Sequence, residues 1–261
     1  MNKFIDHLKL QGRSKNTIKS YCQKVNSFVE YINNDYSQEK VNKYFLNLQE
    51  KCSNVTINCY RASIQSYVTF KNLDVKMPPL LKTITKIPDA ITIEEFENEI
   101  ISVVEEEFEE VEKVKAVFYL LMYSGLRPSE LVSLKRKDFD LKNNQGIVLR
   151  RKNQLEDIFI FTSKVASLIK LYFLLEEEEL NAFNLTIRGL QYCFEKIRGD
   201  CPNMRLRPYL FRHSSATRLL EEGFNLIEIQ NFLGHKRSGS VEKYLRVNKA
   251  GFKQKYLDRI K

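Results

Sequence analysis

The 261-residue chain is 43% hydrophobic and 29% charged, a globular composition with room for one large domain or two ordinary ones, which excludes a disordered or collagen-like chain. Its net charge of +9 favours a polyanionic partner, nucleic acid first and an acidic membrane surface second. The five cysteines are odd in number and form no CxxC pair, which fits reduced thiols in a cytosolic protein best.

The N-terminus has no apolar signal core, and no apolar run is long enough to span a bilayer, so a cytoplasmic protein without a membrane partner is expected. Residues 3–11 read as a short amphipathic helix ending near Gly12, and Ser14 or Asn16 can cap the next. Thr17–Ile32 carries Ile18, Tyr21, Val25, Phe28, Val29 and Ile32 at helical spacing. A third helix opens at Ser37, and a fourth runs from Val55 to about Lys71. These make a four-helix unit whose polar faces carry Lys15, Lys19 and Arg61 among other basic residues, a candidate phosphate-contacting surface. Domain limits of 1–75 for this unit and 76–91 for a linker follow, because the stretch from Leu73 to Ile91 holds three of the six prolines and no period.

From residue 92 the pattern changes. Thr92-Ile-Glu-Glu starts an acidic helix or helix–loop through Glu112. Val114–Ser124 is almost wholly apolar, a buried helix that Gly125 ends. Pro128 opens another helix, which places Arg127 in the tight turn between the two. Ile147–Leu149 and Ile158–Phe161 read as the strands of a β-hairpin whose tip, Arg150 to Gln154, is basic through Arg150, Arg151 and Lys152. Helices are expected at Lys164–Leu175, Thr186–Ile197, Phe211–Glu221, Leu226–Leu233 and Ser240–Val247, followed by a basic amphipathic tail helix over Lys249–Lys261.

The base is unevenly spread. Residues 1–92 hold 14 Lys and Arg against 7 Asp and Glu, and residues 185–261 hold 16 against 7, with most of the acid in Glu94–Glu112 and Glu176–Glu179 between them. Two basic segments suggest two contact surfaces for one polyanion. Neither a phosphate-binding loop of the GxxxxGK type nor a carboxylate set for Mg²⁺ is present, and of the three histidines His213 and His235 lack acidic neighbours at ligand spacing. No cofactor and no metal are therefore expected.

What remains is a set suited to a phosphodiester: Arg127, Arg212, the Leu233-Gly234-His235 turn, and Tyr244 nine residues past that histidine. A tyrosine can attack phosphorus and hold it as an ester. Guanidinium forks match the non-bridging oxygens and keep their charge at neutral pH. A lysine or histidine can protonate the leaving 5′ oxygen, and the bond energy stays in the ester.

GLRPSEL at 125–131, LFRHSSAT at 210–217, LGH at 233–235 and Tyr244 resemble the boxes of the tyrosine recombinase (phage integrase) family, in order and in spacing. The likeness takes in Xer-like recombinases and viral or plasmid integrases, archaeal ones included. It implies a mainly α fold with a small antiparallel β-sheet: a helical core-binding domain, then an α+β catalytic domain over 92–261 that ends in a C-terminal helix. It implies a site-specific DNA recombinase or integrase working through a 3′-phosphotyrosine. Arg127 and Arg212 resemble the two catalytic arginines, His235 the histidine on the scissile phosphate, and Tyr244 the nucleophile. Glu130 resembles the acidic residue that braces the first arginine and the hairpin, and Lys152 the general-acid lysine.

The family usually has histidine three residues before the second arginine, where this chain has Tyr209, so the general-base role falls on an unusual residue. Arg150, Arg151, Arg207, Lys236 and Arg237 join Lys15, Lys19 and Arg61 as expected DNA contacts. The partner implied is double-stranded DNA, bound by a homotetramer on two sites, with a monomer off DNA as the alternative assembly. The expected place of work is the cytoplasm, at the nucleoid. The alternative functions are a catalytically impaired DNA-binding protein on the same scaffold and a type IB topoisomerase-like enzyme.

Overall fold

In the computed structural model the chain divides into two units, Met1–Thr85 and Lys86–Lys261. The structure describes residues 1–83, 89–150, 155–201 and 206–234.

The first unit holds four helices: α1 (Asn2–Leu10), α2 (Lys15–Ile32), α3 (Gln38–Lys51) and α4 (Asn54–Lys71). Serine hydroxyls start three of them. Ser14 accepts from the Thr17 N–H, Ser37 from Lys40 and Ser53 from Thr56, each meeting one of the donors a helix N-terminus leaves open. Asn33 and Asn72 end α2 and α4 in the left-handed conformation, which asparagine tolerates better than most side chains. The apolar stripes meet in a core of Phe28, Ile32, Val41, Phe45, Ile57 and Ile64, with Phe4, Leu8, Val25 and Tyr67 packed together in an adjoining cluster.

The proline-rich stretch expected as linker is, through residue 83, strapped to these helices. Leu73, Val75, Met77 and Leu81 pack on the core. Gln38 on α3 pairs its amide reciprocally with the backbone of Lys76, at 2.9 and 2.8 Å. Asn58 on α4 does the same with Leu81, at 2.9 and 3.0 Å. Side-chain amides thus take the place of a sheet neighbour for an extended segment whose prolines cannot join a ladder.

The second unit opens with a capping box. Glu95 accepts from the Thr92 N–H at 2.7 Å while Thr92 Oγ1 accepts from the Glu95 N–H at 3.1 Å. The acidic stretch that follows is helical in three parts: α5 (Ile93–Glu95), a π-helical turn at Phe96–Ile101, and α6 (Ser102–Glu107). The helices α7 (Val111–Ser124), α8 (Pro128–Leu131), α9 (Ser163–Leu175), α10 (Ile187–Asp200), α11 (Pro208–Glu221) and α12 (Leu226–Phe232), with a 3₁₀ turn at Arg136–Asp138, complete the helical set among the described residues. Helix α7 is central and buried on nearly every side. Phe118 on it stacks on Phe211 of α11 at 5.4 Å and meets Phe194 of α10 edge-on at 4.8 Å, geometries that aromatic quadrupoles favour.

The sheet has three antiparallel strands in the order β1 (Phe139–Asp140), β2 (Gln145–Arg150) and β3 (Leu155–Ile160). The short β1 is not among the strands expected from the sequence. Val148 and Phe159 face the core, while Ile147, Leu149, Ile158 and Ile160 face outward. That alternation corrects one expectation. Arg150 stands two residues past Val148, on the same inward face, and is only 2% exposed. It belongs to strand and core, not to a DNA-contacting tip.

Candidate active site

The site is built where α7 ends. Gly125 closes the helix at φ 60°, and a Cβ there would lie 2.7 Å from Phe232 Cε1, so both the backbone conformation and the close approach of α12 require glycine. The chain then turns through Leu126 into Arg127, and Pro128 starts α8 with no N–H to leave unpaired. Glu130 reaches back to the Arg127 N–H at 2.8 Å.

Glu130 is 2% exposed and is the hub of the site. Its Oε1 accepts from Arg127 Nη1 at 2.6 Å, and its Oε2 accepts from Arg150 Nη1 at 2.8 Å. Burial alone would raise its pKa. The Arg127 N–H and the two guanidiniums outweigh burial and hold the carboxyl below the ordinary carboxylate range. Arg150 Nε also donates to Asp157 Oδ2 on β3 at 2.9 Å. An ordered run of alternating charge, Arg127–Glu130–Arg150–Asp157, therefore crosses from α8 through β2 to β3.

Arg212, 3% exposed on α11, anchors the other side. Its Nη1 donates to the Gly125 carbonyl and its Nη2 to the Leu233 carbonyl, the latter at 2.5 Å. Those oxygens lie at the C-terminal ends of α7 and α12, where helix dipoles place partial negative charge. Ser215, three residues after Arg212 on α11, donates to the Met122 carbonyl at 2.6 Å, so α11 grips the end of α7 twice. Ser214 Oγ accepts from the Ile91 N–H at 2.8 Å, which fixes the chain just before α5.

The structure thus brings Arg127, Glu130 and Arg212 of the expected set to one place, around the Gly125–Arg127 turn. Tyr209 lies one turn before Arg212 on α11 and is 50% exposed. Lys152, His235 and Tyr244 lie outside the described residues, as do Arg151, Lys236 and Arg237. Of the remaining expected DNA contacts, Lys15 and Lys19 are exposed one turn apart on α2. Arg207 is exposed and stands 3.9 Å from Asp89. Arg61 is half-buried and gives its Nε–H to the Pro78 carbonyl at 2.5 Å, so it serves the strap as well as any ligand.

Two participants escape a reading of the sequence alone: Asp157, and Gly234 as a packing position. The signal for the first is diagonal pairing. With Arg150 opposite Leu155, Asp157 is the diagonal neighbour two residues on, within reach of a long side chain.

The family model for the phage integrase family matches residues 92–250, and the one for the phage integrase N-terminal SAM-like domain matches residues 1–76. The tyrosine recombinase XerA of Saccharolobus solfataricus is 28% identical over 274 aligned positions, covering 98% of this chain and 91% of that protein. Among solved structures, the XerA recombinase has a TM-score of 0.58 at 20% identity, covering 99% of this chain and 97% of that one. The XerH site-specific recombinase bound to its difH substrate has a TM-score of 0.69 at 19% identity, covering 90% and 78%. The chain belongs to the phage integrase family. It is a tyrosine-type site-specific DNA recombinase, and its mainly helical fold with a small antiparallel sheet is the one the family boxes implied.

Among the described residues no helix is long and apolar enough to cross a membrane.

Proposed function

We propose that the chain cleaves one DNA strand by attack of the Tyr244 hydroxyl on the scissile phosphorus. The Tyr244 O–P bond forms as the P–O5′ bond breaks, leaving a 3′-phosphotyrosine and a free 5′ hydroxyl. A 5′ hydroxyl from a partner duplex then reverses the step and releases the tyrosine. Arg127 and Arg212 carry the positive charge for the phosphorane oxygens, on the order of 2.7–4 kcal/mol each if they act like a single oxyanion-hole donor. Lys152 gives its proton to the leaving 5′ oxygen, His235 hydrogen-bonds the phosphate, and Tyr209 occupies the position from which the nucleophile's proton is accepted.

The observation that carries this reading is the buried linkage of Arg127 to Glu130 and of Arg212 to the Gly125 and Leu233 carbonyls. Both guanidiniums are held at one turn, and the Leu233 end leads directly into His235. XerH is described as bound to a DNA substrate in a pre-cleavage complex. We extend the DNA partner to this chain, with Lys15 and Lys19 of the first unit and Arg207 of the second as backbone contacts, alongside Arg151, Lys236 and Arg237. Strand exchange between two duplexes requires four nucleophiles, hence four protomers on two sites. Its place is the cytoplasm, at the nucleoid.

The test uses nicked suicide duplexes that the protein itself selects from a randomised pool. The wild type is expected to give an SDS-resistant protein–DNA adduct that Tyr244→Phe abolishes while binding persists. Tight binding with no adduct from the wild type would overturn the reading.

A further inference from the structure

We propose that Arg150 is a positioning residue for leaving-group protonation, fixing the hairpin that carries Lys152 against Glu130 and against the Leu233–Gly234 turn. The proposal rests on the reading of Lys152 as the general acid.

Arg150 is the last residue of β2, paired with Leu155, so the connection that holds Lys152 is only the four residues 151–154. Its guanidinium is fixed from two directions. Nη1 donates to Glu130 Oε2 at 2.8 Å and Nε to Asp157 Oδ2 at 2.9 Å. A third element lies directly on it. A Cβ at Gly234 would fall 2.6 Å from Arg150 Nε, 2.9 Å from its Cζ and 2.9 Å from Asp157 Oδ2. Any side chain at 234 would force this guanidinium or Asp157 to shift, and Gly234 also takes φ 59°. One planar group therefore joins β2, β3, α8 and the turn that leads to His235.

Stability alone does not explain this group. Its Nη2 is buried and has no hydrogen-bond partner among the described residues, a poor arrangement for a cation that an apolar side chain could replace. A fork that points rigidly at two carboxylates does explain it, and a lysine, with a single point charge, could not hold both. The consequence is directional. The β2 end cannot slide relative to Glu130 without breaking the link that also holds Arg127.

The experiment exploits the leaving group. In ordinary DNA the 5′ oxygen departs as an alkoxide and needs a proton. With sulfur at the bridging position it departs as a thiolate, whose conjugate acid has a pKa near ~8.5, and no proton donor is needed. The full-length protein is tested for adduct formation on matched oxygen and 5′-bridging phosphorothiolate duplexes, using a sequence it selects from a randomised pool. Lys152→Ala is the reference and should be slow on oxygen and restored on sulfur. Arg150→Gln should slow the oxygen reaction by roughly 10- to 100-fold, part of the ~10²–10⁴ that a positioned acid supplies, and sulfur should return it to near the wild-type rate. Asp157→Asn, at a more exposed carboxylate, keeps the Glu130 contact and should show a smaller defect of the same kind should Arg150→Gln fail to fold.

An Arg150→Gln protein that binds DNA yet is equally slow on both substrates would overturn the proposal, because the defect would then lie in phosphate stabilisation. Wild-type rates on oxygen for folded Arg150→Gln would overturn it too, as would a folded Asp157→Asn protein without the sulfur-rescued defect if Arg150→Gln does not fold. If sulfur fails to restore Lys152→Ala, the general-acid reading of Lys152 falls, and this proposal with it.

Discussion

Replacing Glu130 by Gln tests whether the buried charge run holds the second unit together. The carboxylate accepts three hydrogen bonds, from the Arg127 N–H, Arg127 Nη1 and Arg150 Nη1. Glutamine keeps the shape but offers one oxygen, and its amide NH₂ confronts a guanidinium. Removing one partner of a buried ion pair costs about 3–5 kcal/mol, because the other charge stays buried. The Arg127 side chain is 20% exposed, so water relieves part of that loss and the lower end, about 3 kcal/mol, is expected. For a unit of this size that corresponds to a fall of roughly 6–12 °C in its melting transition. Calorimetry gives the melting transition, and urea midpoints give the free energy. The contribution also depends on pH. Glu130's pKa is lowered from a usual value of 4.5, so its contribution is complete above that value and is lost as pH falls through the lowered folded pKa. The gap between wild type and Glu130→Gln should therefore be widest near neutral pH and close in acid. A loss under about 1 kcal/mol, against the 3–5 expected for a broken buried pair, or a gap that stays constant into acid, would refute the reasoning.

Three further substitutions probe neighbouring parts. Gly125→Ala forces a left-handed alanine and drives its Cβ to 2.7 Å from the Phe232 ring; the left-handed cost of ~1–2 kcal/mol plus displacement of α12 should lower the urea midpoint and the adduct yield together. Ser214→Ala leaves the Ile91 N–H without its 2.8 Å acceptor, and a urea titration should show a loss of about 1–3 kcal/mol, the cost of an unmet buried donor. Tyr209→His falls on a half-exposed position and should change stability by less than ~0.5 kcal/mol. It installs a base with a pKa near ~6.5, so adduct formation should accelerate and rise with pH through that range; an unchanged rate would remove position 209 from the proton path.

The sequence made the elements legible where one local signal dominated. Serines marked the starts of α2 and α3, the unbroken apolar run marked α7, and Gly125 followed by Pro128 marked the turn that holds Arg127. Features that depend on distant partners were not legible. The strap at 73–83 has the proline content of a linker, and only the amides of Gln38 and Asn58, more than 20 residues away, reveal it as bound. Arg150 sits in a run of basic residues that reads as a solvated tip, yet strand alternation from Val148 turns it inward. The run of three basic residues concealed that its first member, Arg150, belongs to strand and core. The π-helical turn at Phe96–Ile101 has no periodic signature at all, since it differs from α-helix by one residue in hydrogen-bond register.

The distribution of burial within the site has its own logic. Ion pairs in a core are often no more stable than apolar packing of the same volume, so four charged groups in series from Arg127 to Asp157 are better explained by position than by stability. Three of the residues proposed to act on the phosphodiester follow closely on a group anchored in this way. Lys152 comes two residues after Arg150, and His235 one residue after the Gly234 that lies on that same guanidinium. Arg212 binds the carbonyl of Leu233, two residues before His235, and that of Gly125, two residues before Arg127. A shift at any one anchor is therefore passed to the others through a shared guanidinium or carboxylate rather than through flexible chain. Such a site loses rate steeply when an anchor is cut and little when an exposed residue such as Lys15 or Arg207 is changed. Those exposed residues should instead weaken DNA binding uniformly and reduce its salt dependence.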